Sequence, residues 1–286
     1  MPKCTSCGRS GLTLRLDFDG LCETCHRSRQ STLAARLEAL ETFRAEYACI
    51  PSARAEANQI QRQAAESAET SLSQARAQAE SIVFDARARA ARIVLAARSA
   101  QSPAPWKRLP PAAFAAAAAG GFVAFDCETT GLSPQSDRLV ELSAVKYVAG
   151  QRVDAFSTLI NPGISIPYSA SAVNHITNNM VRSAPDPASV VAIFLDFAGS
   201  LPLVAHNADF DVGFVRAAFS DPCPGFAYGD SLAIARKLLP SLPNHKLTTC
   251  LQYLGIHPGA LHRAEADAEG CAAIVVRWLR YRGVLS

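Results

Sequence analysis

Long hydrophobic runs are missing from this chain. The longest, residues 112–125, has 14 residues, mostly Ala and Gly, whereas a bilayer span needs about 20. The N-terminus, Met1-Pro2-Lys3-Cys4, has no apolar h-region. The sequence therefore predicts no signal peptide, no membrane partner and a cytoplasmic location. A strong charge of either sign is missing too. The formal net charge is +3, with an excess of five positive charges in residues 1–119 and of two negative charges in residues 120–286. That basic excess is too small to argue for a polyanionic partner by itself. In a reducing compartment disulfides are not expected, so the nine cysteines, four of them in the first 25 residues, read first as metal ligands.

What is present suffices for about two domains: 286 residues, of which 49% are hydrophobic. Residues 1–29 carry Cys4-x2-Cys7 and Cys22-x2-Cys25, separated by 14 residues. Each pair can form a knuckle that points two thiolates at one ion, and two knuckles complete a tetrahedron around one Zn²⁺. Between them Leu12-Thr13-Leu14-Arg15-Leu16 alternates as a hairpin strand does, and Gly8, Gly11 and Gly20 supply turns. So short a segment buries too little surface to fold alone, so the metal carries its fold. The module resembles a zinc ribbon or a treble-clef finger. His26 is read as a neighbour of the site, not a ligand.

Residues 31–101 contain no glycine, and Pro51 is the one interruption, which predicts two helices with a break near Pro51. The second helix has an internal repeat. Ala57, Ala68, Ala79 and Ala90 recur every 11 residues, as do Ile60, Ser71, Ile82 and Ile93, and Ala64, Ala75, Ala86 and Ala97. Eleven residues over three turns predicts a straight or slightly right-handed coiled coil. Such a face needs a partner: a second copy in a homodimer is the simplest reading, and packing back on the C-terminal part is the rival. Arg76, Arg87 and Arg98 share the period. They could contact a nucleic-acid backbone, but the plainer reading is a solvated face offset by Glu69 and Glu80. Residues 102–121, with four prolines and an Ala run, read as a linker that could hold a short helix.

From residue 122 the texture becomes α/β. Strands are predicted at 122–125, 139–148, 153–160 and 203–205, and helices at 189–198, 212–219, 232–239, 247–254 and 264–281. Asp126 and Glu128 follow the first strand, and their spacing of two sends both carboxylates to one face. Side by side, each resists ionising unless a cation sits between them, and oxygen donors suit a hard divalent metal. Asp211 falls at the start of a helix and Asp267 in the last helix, five residues after His262. Asp209, Asp137 and Glu141 read as ordinary polar positions. His206 reads as a structural residue, and His245 and His257 as surface ones.

Phe125-Asp126-Cys127-Glu128-Thr129-Thr130-Gly131, His206-Asn207-Ala208-Asp209-Phe210-Asp211 and His262-Arg263-Ala264-Glu265-Ala266-Asp267-Ala268 resemble, in order, the three motifs of the DEDDh (DnaQ-like) exonuclease family, closest to its proofreading, epsilon-type members. Asn174-His175-Ile176-Thr177 and Asp230-Ser231-Leu232 are lesser echoes. The resemblance covers residues 122–286 and says nothing of residues 1–119. It implies a ribonuclease-H-like mixed sheet flanked by helices and a 3′–5′ exonuclease with two Mg²⁺ or Mn²⁺ ions about 4 Å apart. It further implies that Asp126 bridges the ions, that Glu128 and Asp267 hold the one that binds the attacking water, and that Asp211 completes the other. His262 becomes the general base. Thr129, Thr130 and Leu132 match positions that contact the terminal nucleotide, with His175 and Phe214 as further candidates.

Three functions compete at this level. The first is an exonuclease on DNA with a free, single-stranded 3′ end, serving proofreading or repair beside a separate polymerase or repair partner, since the chain has no polymerase domain of its own. The second is an RNA exonuclease of the same fold. The third is a non-catalytic zinc and coiled-coil adaptor, which the intact set of costly polar groups argues against.

Overall fold

The computed structural model describes residues 2–11, 15, 20–48, 50–101, 105–219, 225–256 and 264–285. The chain divides into two units, residues 1–77 and 78–286.

In the first unit the cysteine module leads straight into helix α1 (Glu23–Glu46). Cys22 is its N-cap residue and Cys25 lies in its first turn, so the helix starts inside residues 1–29, ahead of the expected boundary at 31. The expected strand at Leu12–Leu16 lies outside the described residues except for Arg15. None of α1 is buried, and Leu33, Leu37, Leu40, Phe43 and Tyr47 are exposed. Helix α2 (Ile50–Gln101) follows. The break between the helices falls near Pro51, as expected, and just before it. Pro51 sits in the first turn of α2, where its missing N–H has no helical acceptor to lose.

The second unit opens with the end of α2 and continues through β1 (Lys107–Arg108), α3 (Pro111–Ala117), β2 (Phe122–Thr129), β3 (Leu139–Val148), β4 (Gln151–Leu159), α4 (Tyr168–Asn174), α5 (Asn178–Val181), α6 (Pro187–Ala198), β5 (Leu203–Ala205), α7 (Ala208–Ala218), β6 (Ala227–Asp230), α8 (Ser231–Leu238), α9 (Leu247–Tyr253) and α10 (Ala264–Tyr281). The strands form one mixed sheet in the order β1-β6-β5-β2-β3-β4. The pairs from β1 to β2 are parallel, and β2-β3 and β3-β4 are antiparallel.

Period-two alternation along β2 feeds two cores. Val123, Phe125 and Cys127 pack with α6 and α7, while Phe122 and Ala124 pack with α3, α8, α9 and α10. Asp126 and Glu128 continue the parity of Phe122 and Ala124, which is the α10 side. That parity is why an acid on α10 can meet them.

The expected linker is part of this unit. Arg108 and Lys107 pair with β6, and Phe114, Ala115 and Ala118 are buried in the second core. A Pro-rich, Ala-rich composition hides such a segment, because alanines pack as readily against a sheet as they solvate a linker. The end of α2 is likewise docked. Ala88, Ala91 and Leu95 are buried and Phe84 packs against the first core, whereas Ile93 is 71% exposed. Leu95→Ala is therefore expected to cost about 3 kcal/mol by deletion of buried methyls, and Ile93→Ala under ~0.5 kcal/mol. Urea unfolding of both variants checks this; equal effects would mean that the helix end is not part of the core.

Candidate metal centre and active site

Four acids converge where the sequence placed them. The carboxylate oxygens of Asp126, Glu128 and Asp267 lie within 4.8 Å of one another. The first two leave β2 and the third stands in the first turn of α10. Asp211, in the first turn of α7 and only 3% exposed, accepts a hydrogen bond from the Cys127 N–H at 3.1 Å. It is thus tied to the residue between the two β2 acids, outside the trio but beside Asp126. His262 and His257 lie outside the described residues.

The electrostatics follow from this crowding. Burial holds the Asp126 carboxyl well above the carboxylate range, and Asp211, Asp267, Glu128 and Glu141 push it further the same way. Burial raises Asp211 to about 8 against the pull of the Cys127 and its own N–H, with Glu128 and Asp230 adding to the rise. Carboxylates packed together in this way ask for cations, and an all-oxygen donor set fits Mg²⁺ or Mn²⁺.

Glu141 is more than an ordinary polar position. It is 3% exposed, stands opposite Glu128 in the β2-β3 register, and accepts the Ala264 N–H at 3.3 Å. It therefore holds the start of α10, three residues before Asp267. One signal for it was in the sequence: a charge in the mostly apolar run Leu139–Val145, whose only other polar residue is Ser143. Arg152 ties the same helix to β4 through Glu265 and Glu269.

A second network fixes α7, and hence Asp211. Asp230, 5% exposed, accepts the N–H groups of Asn207 and Leu232, each at 3.0 Å, and the Arg108 guanidinium at 2.6 Å. Asn207 takes a left-handed conformation, φ 71°, at the N-cap of α7. His206 bridges Ser231 Oγ at 2.8 Å and the His245 carbonyl at 2.9 Å, and burial lowers its pKa; it is structural, as its sequence context suggested. His245 is half-buried and bonded to the Leu239 carbonyl rather than on the surface. Asp209 pairs with Arg108 and Tyr228. Nothing in a Pro-rich stretch announced Arg108.

The nucleotide-contact candidates divide. The Thr129 carbonyl accepts from Asn174 Nδ2 at 3.3 Å, and Thr130 is closed into the 131–138 loop through the Arg138 carbonyl and Asp137. A Cβ at Gly131 would come to 2.5 Å from the Asp137 carboxyl, so a side chain there would have to displace the carboxyl that closes this loop. Leu132 at the loop's tip is 84% exposed. His175 caps α4 with φ 59° and is exposed, lining a cleft of about 530 Å³ with Tyr168, Ser171 and Thr177. Phe214 is different. It is 1% exposed and packed on Phe210 in the first core, so little of its ring is open to a nucleotide.

In the first unit, Cys4, Cys7, Cys22 and Cys25 bring one sulfur each within 4.8 Å of the others. The Cys7 and Cys22 backbone N–H groups draw the Cys4 thiol down to about 6, and the Cys22 N–H reaches Cys4 Sγ at 3.3 Å. The neighbouring Cys7 and Cys22 sulfurs push Cys25 up to about 12. Gly8, at φ 72°, turns the first knuckle. Four soft donors in this arrangement fit Zn²⁺.

The Asp211 shift has a sign that can be tested. Its folded pKa, about 8, exceeds the model-peptide value of 3.8, so folding holds the proton more tightly. That contribution is complete below the unfolded pKa, near 4, and is lost as pH rises through the folded one. In EDTA, thermal stability is expected to fall from about pH 5 to about pH 8, and less steeply in Asp211→Asn, whose amide oxygen can still accept the Cys127 N–H. Thermal melts across pH check this, and parallel profiles would contradict it.

The RNase_T family of exonucleases matches residues 123–275, more than half of the chain. The PolC-type DNA polymerase III of Clostridium perfringens is 40% identical over 156 residues, which are 54% of this chain and 11% of that protein. The DNA polymerase III subunit epsilon of Treponema pallidum is 39% identical over 156 residues, covering 52% of this chain and 72% of the subunit. A solved structure of Exonuclease X with 5′ overhanging duplex DNA is similar at 28% identity and a TM-score of 0.48, over 57% of this chain and 93% of that one. The chain thus spans about a tenth of the PolC-type relative and most of the epsilon subunit. With the acid cluster inside the matched residues, the chain belongs to the RNase_T exonuclease family.

Proposed function

We propose that this chain is a DEDDh-type 3′–5′ exonuclease, dependent on two divalent metal ions, that releases nucleoside 5′-monophosphates from DNA 3′ ends. The observation that supports it is the meeting of Asp126, Glu128 and Asp267 oxygens within 4.8 Å, with Asp211 joined to the same strand. Similarity to polymerase III proteins favours DNA over RNA, a proofreading or repair role in the cytoplasm, and a polymerase or repair protein as partner.

The acids would hold the ions, and these, when bound, neutralise charge on the attacking and leaving oxygens of an in-line displacement. His262, five residues before Asp267, takes the proton of the attacking water. The phosphorus–3′-oxygen bond breaks, which leaves a 5′-monophosphate and a strand one nucleotide shorter with a new 3′-hydroxyl. The Thr129–Thr130 backbone, Leu132 and His175 position the terminal nucleotide. The cysteine module holds one structural Zn²⁺, and the helical segment joins two copies of the chain.

With 5′-labelled single strands of DNA and RNA of one sequence, Mg²⁺ or Mn²⁺ is expected to give a ladder shortening from the 3′ end, faster on DNA. EDTA should abolish it, and Asp126→Ala should slow it by at least ~10²-fold, the scale of losing one preorganised electrostatic element. Cleavage that survives EDTA or Asp126→Ala overturns the mechanism, and faster RNA cleavage overturns the substrate. Atomic absorption should find one zinc per chain, lost in Cys22→Ser while the C-terminal unit remains folded. Full zinc retention in that variant contradicts the site.

A further inference from the structure

From Ala155 to Val181 the chain carries no Asp, Glu, Lys or Arg. The stretch runs from β4 through α4 and α5. Its inward side chains Ile166, Ile176 and Val181 close a small core with Val140. Its outward ones are apolar as well: Ile164, Tyr168, Val173 and Met180 are all exposed. Tyr168, at 87%, is the most exposed large apolar side chain among the described residues. No ring, ion or hydrogen-bonding group among those residues meets its side chain. Scattered singly, such side chains are ordinary; gathered in one uncharged stretch that also holds a cleft, they mark a binding surface.

The cleft is the one of about 530 Å³ that Tyr168 lines with Ile166, Ser171, Ala172, His175 and Thr177. Residues 168, 171, 172 and 175 recur at helical spacing, so they share one face of α4 and its cap. This face is continuous with the candidate active site. Asn174, the last residue of α4, donates to the Thr129 carbonyl at 3.3 Å, one residue from Glu128. Tyr168 lies six residues back along α4, roughly 9 Å at the helical rise. With the terminal nucleotide at Thr129 and the acids, that distance exceeds the length of one nucleotide and falls short of two.

We infer that Tyr168 stacks on the base next to the 3′-terminal one, and that the cleft beside it is a second base site. This rests on the exonuclease reading above and extends it by one nucleotide. Chemistry selects the occupant. A nucleobase is flat and neutral, and its faces are apolar, which is what an uncharged cleft with an unoccupied aromatic ring can hold. The stretch offers phosphates no cation, so the strand is held here by its bases and not by its backbone. So exposed a ring contributes little to folding, and its replacement therefore reads binding directly.

Rates of removal of the terminal nucleotide by the full chain with Mg²⁺ test this on two 5′-labelled DNA single strands, one intact and one with an abasic sugar in the next-to-last position. On the intact strand Tyr168→Ala is expected to raise KM at least ~5-fold and leave kcat within about twofold, while Tyr168→Phe, which keeps the ring, matches wild type. The abasic strand should raise the wild-type KM by a similar factor, and on it Tyr168→Ala and wild type should be alike. The salt dependence of KM should be the same for all three proteins, since no phosphate contact is lost. Equal KM for wild type and Tyr168→Ala on the intact strand overturns the stacking and leaves the cleft to another occupant, such as an apolar peptide. A Tyr168→Ala defect that persists in full on the abasic strand overturns the assignment to that base, and a flattened salt dependence in Tyr168→Ala overturns the uncharged contact. A wild type that shortens neither strand overturns the exonuclease reading, and this inference with it.

Discussion

Carboxylates do not gather in a protein interior without compensation, and the catalytic unit is organised around a place where they do. Asp126, Glu128 and Asp267 share one small volume, with Asp211 beside them and Glu141 behind. Burial and mutual repulsion raise the proton affinity of Asp126 and Asp211. Without cations the cluster opposes folding, and with them it becomes a site where charge can be stabilised. The surrounding elements hold groups that would otherwise move apart: Glu141 fixes the start of α10, Cys127 holds Asp211, and Arg108 with Asp230 sets the turn into α7.

Much of this was readable in the sequence, for identifiable reasons. The Asp126–Glu128 spacing required a shared face, and the period-two alternation of β2 directed that face toward α10. The strands 139–148 and 203–205 and the helix from Ala264 announced themselves through hydrophobic periodicity. The cysteine pairs announced their own cluster. What stayed hidden depended on contacts distant in sequence. Glu141 stands out as a charge within a mostly apolar strand, but what it holds shows only once its contact with the start of α10 is known, and Arg108 sits in a stretch whose prolines and alanines suggest a linker. Phe214 carried a motif-based expectation that the amphipathic phase of α7 overrides, since its ring is turned into the core.

The N-terminal half follows a different logic. Its thiol cluster is a small module that soft-metal ligation can hold together, and its helices expose apolar residues that the described parts of the chain do not cover. In α2 the heptad-like docking seam and the 11-residue seam coexist because their phases differ by almost half a turn.

The measurement that bears most directly on the central constraint is a count of Mn²⁺ ions bound by the zinc-loaded protein in the presence of a nucleoside 5′-monophosphate, followed by electron paramagnetic resonance. Two ions per chain, lost in Asp126→Asn, is the result that follows from a carboxylate cluster built around cations. Binding unchanged by that substitution, or none at all, would contradict it.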